Sequence, residues 1–466
     1  MAERFFAAQA WLDGGWAHDV LLSVGQDGCW VGVQPDASAD QAQGAQRLAG
    51  PVLPGLVNAH SHAFQRAIAG LTERAGPAGS SDDFWSWRDR MYSVARRITP
   101  EQLEHIAAWL YAELLAGGYT QVCEFHYLHQ PADADGGDPL AMSLALVRAA
   151  QRVGMGLTLL PTLYMRSGFG AAGLREDQRR FASSPDTLVR LVGDVQAACR
   201  GLAGVNLGLA IHSLRAAGLP AMTELAAWTG ARQLPVHIHI AEQTQEVQDC
   251  LAHTGQRPIE CLLDNLPIDA RWNLVHATHA SPAELQAVAK RGAAIVICPS
   301  TEANLGDGVF DYPGFGAAKG RWSIGSDSHV TRNWPQELCL LEYAQRLALR
   351  RRNVAAAAGG SSAAALFEAA AAGGQAASGL RLGAIATGYR ADFVVLDTRA
   401  PALLGVPLAH ALDAQVFSGP QARFLQVYAA GQLRFDGAAV LDREGVPGLQ
   451  QRLADQFAGT MAVLWA

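Results

Sequence analysis

From about residue 51 onward, eight short apolar runs alternate with helix-like segments, and polar side chains gather where most of the runs stop. The runs span residues 55–58, 120–125, 156–160, 206–211, 235–239, 272–275, 293–297 and 321–325. Between most of them lie segments of helical character, such as 100–116, 139–153, 185–199, 220–229 and 282–290. Several of these open with Pro directly after Ser or Thr, as at Thr99-Pro100, Ser184-Pro185 and Ser281-Pro282, a pattern that starts helices. Strand and helix in strict alternation imply a parallel sheet. Eight such units in this length fit a closed (β/α)8 barrel, so the expected fold class is α/β.

The ends of the runs carry the chemistry. The first is followed by His60-Ser61-His62, the second by His126-Tyr127-Leu128-His129 and the fourth by His212-Ser213-Leu214-Arg215. His239-Ile240-Ala241-Glu242-Gln243 closes the fifth, and His276-Ala277-Thr278-His279 follows the sixth. The seventh ends in Cys298-Pro299-Ser300-Thr301-Glu302-Ala303-Asn304, and the eighth in Ser326-Asp327-Ser328-His329. A barrel builds its active site at the C-terminal ends of its strands. A random scatter of 14 His would not collect there.

Outside the barrel segment the pattern changes. Residues 5–8, 20–24 and 29–33 read as short strands separated by turns at Gly14-Gly15 and Asp27-Gly28, and 36–46 reads as a polar loop. Strand character returns at 391–397, 424–428 and 432–435. The expected organisation is a small β-sandwich domain from residues 1–50 and 386–445, the barrel over 51–385, and a C-terminal helix over 446–466.

Composition removes several classes of function. With 36 Lys+Arg against 43 Asp+Glu the net charge is −7, and no long basic run is present, so no nucleic-acid partner is expected. The 7 Cys are odd in number, widely spaced and lack a Cys-x-x-Cys pair, which argues against a disulfide framework or a thiolate zinc knuckle. No run of strongly apolar residues reaches membrane-spanning length; the stretch 355–379 is mostly Ala and Gly and reads as packed helix. Nor does a basic segment followed by an apolar one open the chain. A cytoplasmic location with no membrane partner is expected.

On a strand, residues i and i+2 point the same way, so His60 and His62 can hold one ion between them. Together with His239, His276 and Asp327 at later strand ends, this set resembles the amidohydrolase superfamily over nearly the whole chain. The lead-in at 51–58 and the return at 383–392 are similar to that family's domain junctions. The resemblance implies that His60, His62, His239 and Asp327 bind metal. Two-metal members bridge their ions with a carboxylated Lys ending the fourth strand. Here that strand ends in Ile211-His212-Ser213-Leu214-Arg215, and the only lysines, Lys290 and Lys319, are elsewhere, so one divalent metal is expected. Imidazole and carboxylate donors with an open position suit Zn²⁺, and iron or manganese remain open alternatives.

In deaminating members, a Glu three positions after the fifth-strand His is the proton shuttle, and Glu242 stands there. Ammonia is a poor leaving group unless its nitrogen is protonated, so such an acid is needed. By the same resemblance His276 polarises the attacking water and Asp327 accepts its proton, while His279 and His237 are expected to be supporting groups. The strings 60–66, 237–243, 275–279 and 298–308 are similar to the branch of the family that hydrolyses N-formimino-L-glutamate to N-formyl-L-glutamate and ammonia. A small dicarboxylate substrate favours Arg, which binds carboxylate through two parallel bonds. Arg215 is the leading clamp and Arg88 the second, with Gln65, Tyr127 and His212 matching the remaining substrate contacts. The resemblance also implies a homodimer, and it leaves open whether Arg88 serves its own site or the neighbouring subunit's. Other single-metal aminohydrolases, acting on guanine or adenosine derivatives, and a non-catalytic member of the family are the alternatives.

Overall fold

The first hairpin turns on Asp13-Gly14, whose φ values of 47° and 85° are both left-handed, as a two-residue loop between twisted strands requires. It joins β1 (Glu3–Leu12) to β2 (Gly15–Val24), followed by β3 (Trp30–Gln34), β4 (Gln46–Arg47) and β5 (Val52–Pro54). The computed structural model describes residues 3–76, 82–130, 132, 138–419, 423–441 and 448–466. The barrel strands are β6 (Leu56–Ser61), β7 (Tyr119–His126), β8 (Gly156–Leu163), β9 (Val205–Leu207), β10 (Leu209–Ile211), β11 (Val236–Ile240), β12 (Trp272–His276), β13 (Ala294–Ile297) and β14 (Arg321–Ile324). Three more strands, β15 (Phe393–Leu396), β16 (Phe424–Ala429) and β17 (Gln432–Phe435), lie near the C-terminus.

All eight apolar runs are strands, and β6 to β14 pair in parallel in sequence order. The fourth run is the irregular one: it splits at Gly208 into β9 on β8 and β10 on β11. Strands covered on both faces carry continuous apolar character, and every residue of β7 and β8 is buried. The ring is closed just beyond β14, where Asp327 N–H donates to His60 O at 3.0 Å and His62 N–H to Asp327 O at 3.3 Å. Gly325 is needed at that seam, because a Cβ there would lie 2.5 Å from His60 Cβ. Outer helices start as their sequences require: Thr99, Ser184 and Ser281 each cap a helix whose first residue is Pro.

The helix Ser362–Ser378 covers the opposite end of the barrel. Asn206, Asn273 and His237 donate to the carbonyls of Ser378, Ala376 and Ala377. His237, although it alternates in register with His239, therefore belongs to this end of the ring and not to the site.

The terminal strands come together, as expected, in one small β domain built from both ends of the chain. They form one continuous sheet in the order β17-β16-β15-β5-β1-β2-β3, with β4 on β1. Its far edge returns to residues near β15, since Trp30 N–H donates to Tyr389 O and Gly388 N–H to Trp30 O. A single curved sheet thus encloses a core of Phe5, Trp30, Phe393 and Tyr428. Val52–Pro54, within the segment assigned to the barrel from sequence, hydrogen-bonds into this sheet. The C-terminal helix Leu449–Leu464 packs on the helix Pro100–Ala116 through stacked Phe457 and Trp109. The boundary expected at 445/446 lies outside the described residues. Among the described residues no helix is long and apolar enough to cross a membrane.

Candidate active site

The closing seam of the barrel brings four of the predicted metal-binding side chains together. His239 Nε2 lies 3.0 Å from His60 Nε2 and 3.3 Å from His62 Nε2. Asp327 Oδ1 is 3.4 Å from both His60 Nε2 and His62 Nε2. The backbone bonds that join residue 327 to residues 60 and 62 are what set this register. Turn geometry contributes as well: Ala241, His276, Ala277, Asp327 and His329 all have φ between 45° and 69°. Left-handed backbone at non-glycine residues costs about 1–3 kcal/mol each and persists where its surroundings over-determine it.

The donor set fits a cation. His62 Nδ1 is 2.8 Å from Phe125 O, and His239 Nδ1 is 3.0 Å from His212 O. A carbonyl only accepts, so each Nδ1 carries the hydrogen and each Nε2 presents a lone pair. Burial pulls the acid dissociation of His60 down to about 3, and that of His62 and His239 below the ordinary range, so all three rings are neutral. Burial pushes the Asp327 carboxyl up, but the His60 hydrogen bond and the surrounding imidazoles bring it below the usual carboxylate range. The Nε2 lone pairs of His62 and His239 face each other at 3.3 Å beside an ionised carboxylate, a repulsion that a cation among them relieves. Three nitrogens and one oxygen form a zinc-type donor set.

His276 and Glu242 stand beside this cluster. His276 Nε2 is 3.7 Å from Asp327 Oδ2 and 3.6 Å from Glu242 Oε1. Burial drives the Glu242 carboxyl up to about 7, against the lowering effect of His276 and Arg215. Near neutrality such a group can both hold and release a proton. Burial would lower His276, but Glu242 and hydrogen bonds to Cys298 and Glu302 raise it well above the ordinary imidazole value. His279 points away, with Nε2 2.9 Å from Asp307 O, which makes it a brace for the loop after β13.

The predicted substrate contacts all line one pocket with His62, His239, Glu242, His276 and Asp327. Gln65 donates to Tyr127 O–H at 3.2 Å, and Tyr127 is buried instead of exposed at a loop tip. His212 packs 5.0 Å from the His239 ring. Arg215 is buried and lines the cavity, and its Nε has no partner. Arg88, on the helix Phe84–Ala95, reaches the same cavity within its own chain. Its Nε is also unpartnered, and its one ion pair among the described residues is 3.8 Å from exposed Asp89.

Four supporting residues were not singled out from the sequence. Glu302 Oε1 sits 3.2 Å from His276 Nδ1 and accepts the Cys298 N–H at 2.9 Å, which orients the His276 ring. His276, Cys298 and Glu302 also form a compact donor group, but Glu302 is already engaged by these bonds. Glu124 accepts from Ser61 Oγ at 2.7 Å and Ala63 N–H at 2.6 Å, anchoring the turn around His62. Arg166 donates to the carbonyls of Leu214, Arg215 and Ala217, fixing the loop that carries Arg215. Trp85 lies within cation–π range of both arginines. Glu124 lies inside β7 and Glu302 in the first turn of the helix Pro299–Leu305, where an acidic residue also reads as a helix-start group, so neither carries a distinguishing mark in the sequence.

Residues 52–434 match the amidohydrolase family. The chain is 47% identical over 429 residues to a formimidoylglutamate deiminase of Pseudomonas aeruginosa, covering 92% of this chain and 93% of that one. It is 27% identical to a 5-methylthioadenosine/S-adenosylhomocysteine deaminase of Desulfovibrio desulfuricans, covering 83% and 80% of the two chains. Among solved structures, an amidohydrolase of Brucella melitensis aligns over 100% of both chains with a TM-score of 0.92 and 40% identity.

Proposed function

Because the chain belongs to the amidohydrolase family, we propose that it is a formimidoylglutamate deiminase, converting N-formimino-L-glutamate and water to N-formyl-L-glutamate and ammonia in histidine degradation. One structural observation carries the substrate class: two arginines with unpartnered Nε atoms, Arg88 and Arg215, line the cavity that holds Glu242 and the histidine cluster. Both Nε–H groups lack an acceptor, and a ligand with two carboxylates can supply one to each. A neutral purine would leave them unsatisfied. The test is ammonia release from N-formimino-L-glutamate, N-formimino-L-aspartate and guanine, with metal analysis on the same sample. Turnover of the glutamate compound is expected; turnover of guanine without it overturns the reading.

In this reading His60, His62, His239 and Asp327 hold one divalent cation, and the nitrogen-rich donor set favours Zn²⁺. Such a cation supplies Lewis-acid activation of water. Asp327 takes a proton from that water, and His276, oriented by Glu302, stabilises the charge that develops on the oxygen. As the water adds to the formimino carbon, the C=N electron pair moves to nitrogen. Glu242 delivers one proton there, and the hydroxyl of the adduct gives up the second as the formyl C=O forms, so the C–N bond breaks with both water protons on the nitrogen and ammonia leaves. Arg215 and Arg88 hold the carboxylates, while Gln65, Tyr127 and His212 complete the wall around the substrate. The enzyme is taken to act in the cytoplasm as a homodimer, with Arg88 serving the site of its own chain.

Arg215→Met keeps much of the side-chain volume and removes the charge. Paired charge-assisted hydrogen bonds, each worth about 1.5–3 kcal/mol, put the expected loss of kcat/KM at about 10²- to 10⁴-fold. Metal content stays at the wild-type level. Near-normal kinetics would move the clamp elsewhere.

A further inference from the structure

Two like charges face one cavity in this chain, and the structure indicates what keeps them there. The helix Phe84–Ala95 begins at Asp83, whose side chain accepts the N–H groups of Trp85 and Ser86. Residues 85, 88 and 92 then fall on one face of that helix, three and four positions apart. The Arg88 guanidinium lies 4.5 Å from the Trp85 ring centroid and 5.5 Å from that of Tyr92. Arg215, arriving from the end of β10, lies 5.5 Å from the same Trp85 ring and 6.0 Å from Phe84. One indole therefore serves both guanidiniums. Phe84 meets Trp85 edge-on at 4.9 Å, which fixes the plane of the indole.

We propose that Trp85 is the positioning residue of the dicarboxylate clamp: its π face holds Arg88 and Arg215 side by side, ready for substrate, before any anion is present. The proposal rests on the deiminase reading above and deepens it. Electrostatics supports it. Neither Nε has a hydrogen-bond acceptor, and Arg88 has only a 3.8 Å contact with exposed Asp89, so the ring adds to the attraction of Glu246 and Glu242 for Arg215 in offsetting the repulsion between the two cations. The electron-rich face of an indole attracts a guanidinium most strongly where water is excluded. Trp85 itself does not line the cavity, so it acts through the arginines and not on the reacting atoms.

Steady-state kinetics of Trp85→Leu and Trp85→Phe with N-formimino-L-glutamate tests this. Leucine fills space without a π face, and KM is expected to rise by about tenfold or more while kcat stays within about threefold. Phenylalanine restores a π face, and KM is expected to return to within about threefold of wild type. The idea is overturned if Trp85→Leu leaves KM unchanged, if kcat falls along with the thermal midpoint, or if Trp85→Phe is as impaired as Trp85→Leu. Failure of the wild-type enzyme to release ammonia from this substrate overturns the deiminase reading instead, and it is seen before any variant is made.

Discussion

Dialysis against a strong chelator lowers ammonia release by more than about 10⁴-fold, and one equivalent of a divalent cation per chain restores it. The size of the loss follows from the chemistry of the nucleophile. Bound to a divalent ion, water loses its proton near pH 7 instead of near 15.7, so removing the ion removes almost all hydroxide-like reactivity at neutral pH. The site itself gives a second readout. The Nε2 lone pairs of His62 and His239, each fixed by a backbone carbonyl on Nδ1, face each other at 3.3 Å and repel without a cation. An ion present at about 1,000 times its dissociation constant adds about 4 kcal/mol to stability. For a chain of 466 residues that corresponds to a rise in Tm on the order of 4 °C on reloading. His239→Ala should reach the same activity floor and lose the bound metal, whereas Arg215→Met keeps the metal. Full activity in protein shown to be metal-free would remove the basis for this site.

How far the sequence reveals this architecture depends on where each residue's signal comes from. Histidines 60, 62, 239 and 276 and Asp327 stand out because each interrupts or ends an apolar run, and a parallel barrel turns strand ends into neighbours. Their spacing along the chain is large, but the strand order makes it irrelevant. Glu302 lacks that contrast: it sits in the first turn of the short helix Pro299–Leu305, where an acidic residue also reads as a helix-start group, and only the fold shows it against His276. Trp85 beside Arg88 is legible as a stacking neighbour, but its contact with Arg215, like that of Arg166 with the Arg215 loop, joins distant segments that share no periodicity.

The terminal strands show the same division. Their alternation and turns are legible, whereas whether they close as two sheets or curl as one depends on long-range pairing. The bonds between β5 and β15 and between Trp30 and Tyr389 join residues more than 300 positions apart. Register between such segments is set by which faces are buried together, here around Phe5, Phe393 and Tyr428. Placement of Arg88 is also a property of the fold. From sequence it serves either subunit's site, and only the start of its helix at Asp83 aims it into the cavity of its own chain.

Glu242→Gln lowers kcat by about 10³- to 10⁴-fold while KM, metal content and fold are retained. The amidine nitrogen cannot depart as an anion, so a proton must reach it as the C–N bond breaks, and in the proposed mechanism buried Glu242 delivers it. Glutamine keeps the volume and the hydrogen-bonding reach of the side chain but exchanges no proton, so the loss should fall on kcat. The limb of the pH–rate profile that belongs to Glu242 should vanish with it. Stability gives an independent check whose sign is opposite to that of the activity. Burial raises Glu242 from 4.5 to about 7 in the folded chain, so folding takes up a proton between those values. Wild-type stability therefore declines as pH rises through that interval, because the ionised carboxylate is disfavoured inside the barrel. The glutamine variant carries no such penalty, and its Tm relative to wild type should grow from about pH 4.5 to about pH 7 and then level off. A variant that is inactive because it is misfolded would show a lower Tm throughout. One that retains more than about a tenth of wild-type kcat would transfer the proton-delivery role to another group, and Asp307 is the nearest candidate: it is buried, raised to about 9 by burial and by Glu242, and hydrogen-bonded to Gln243.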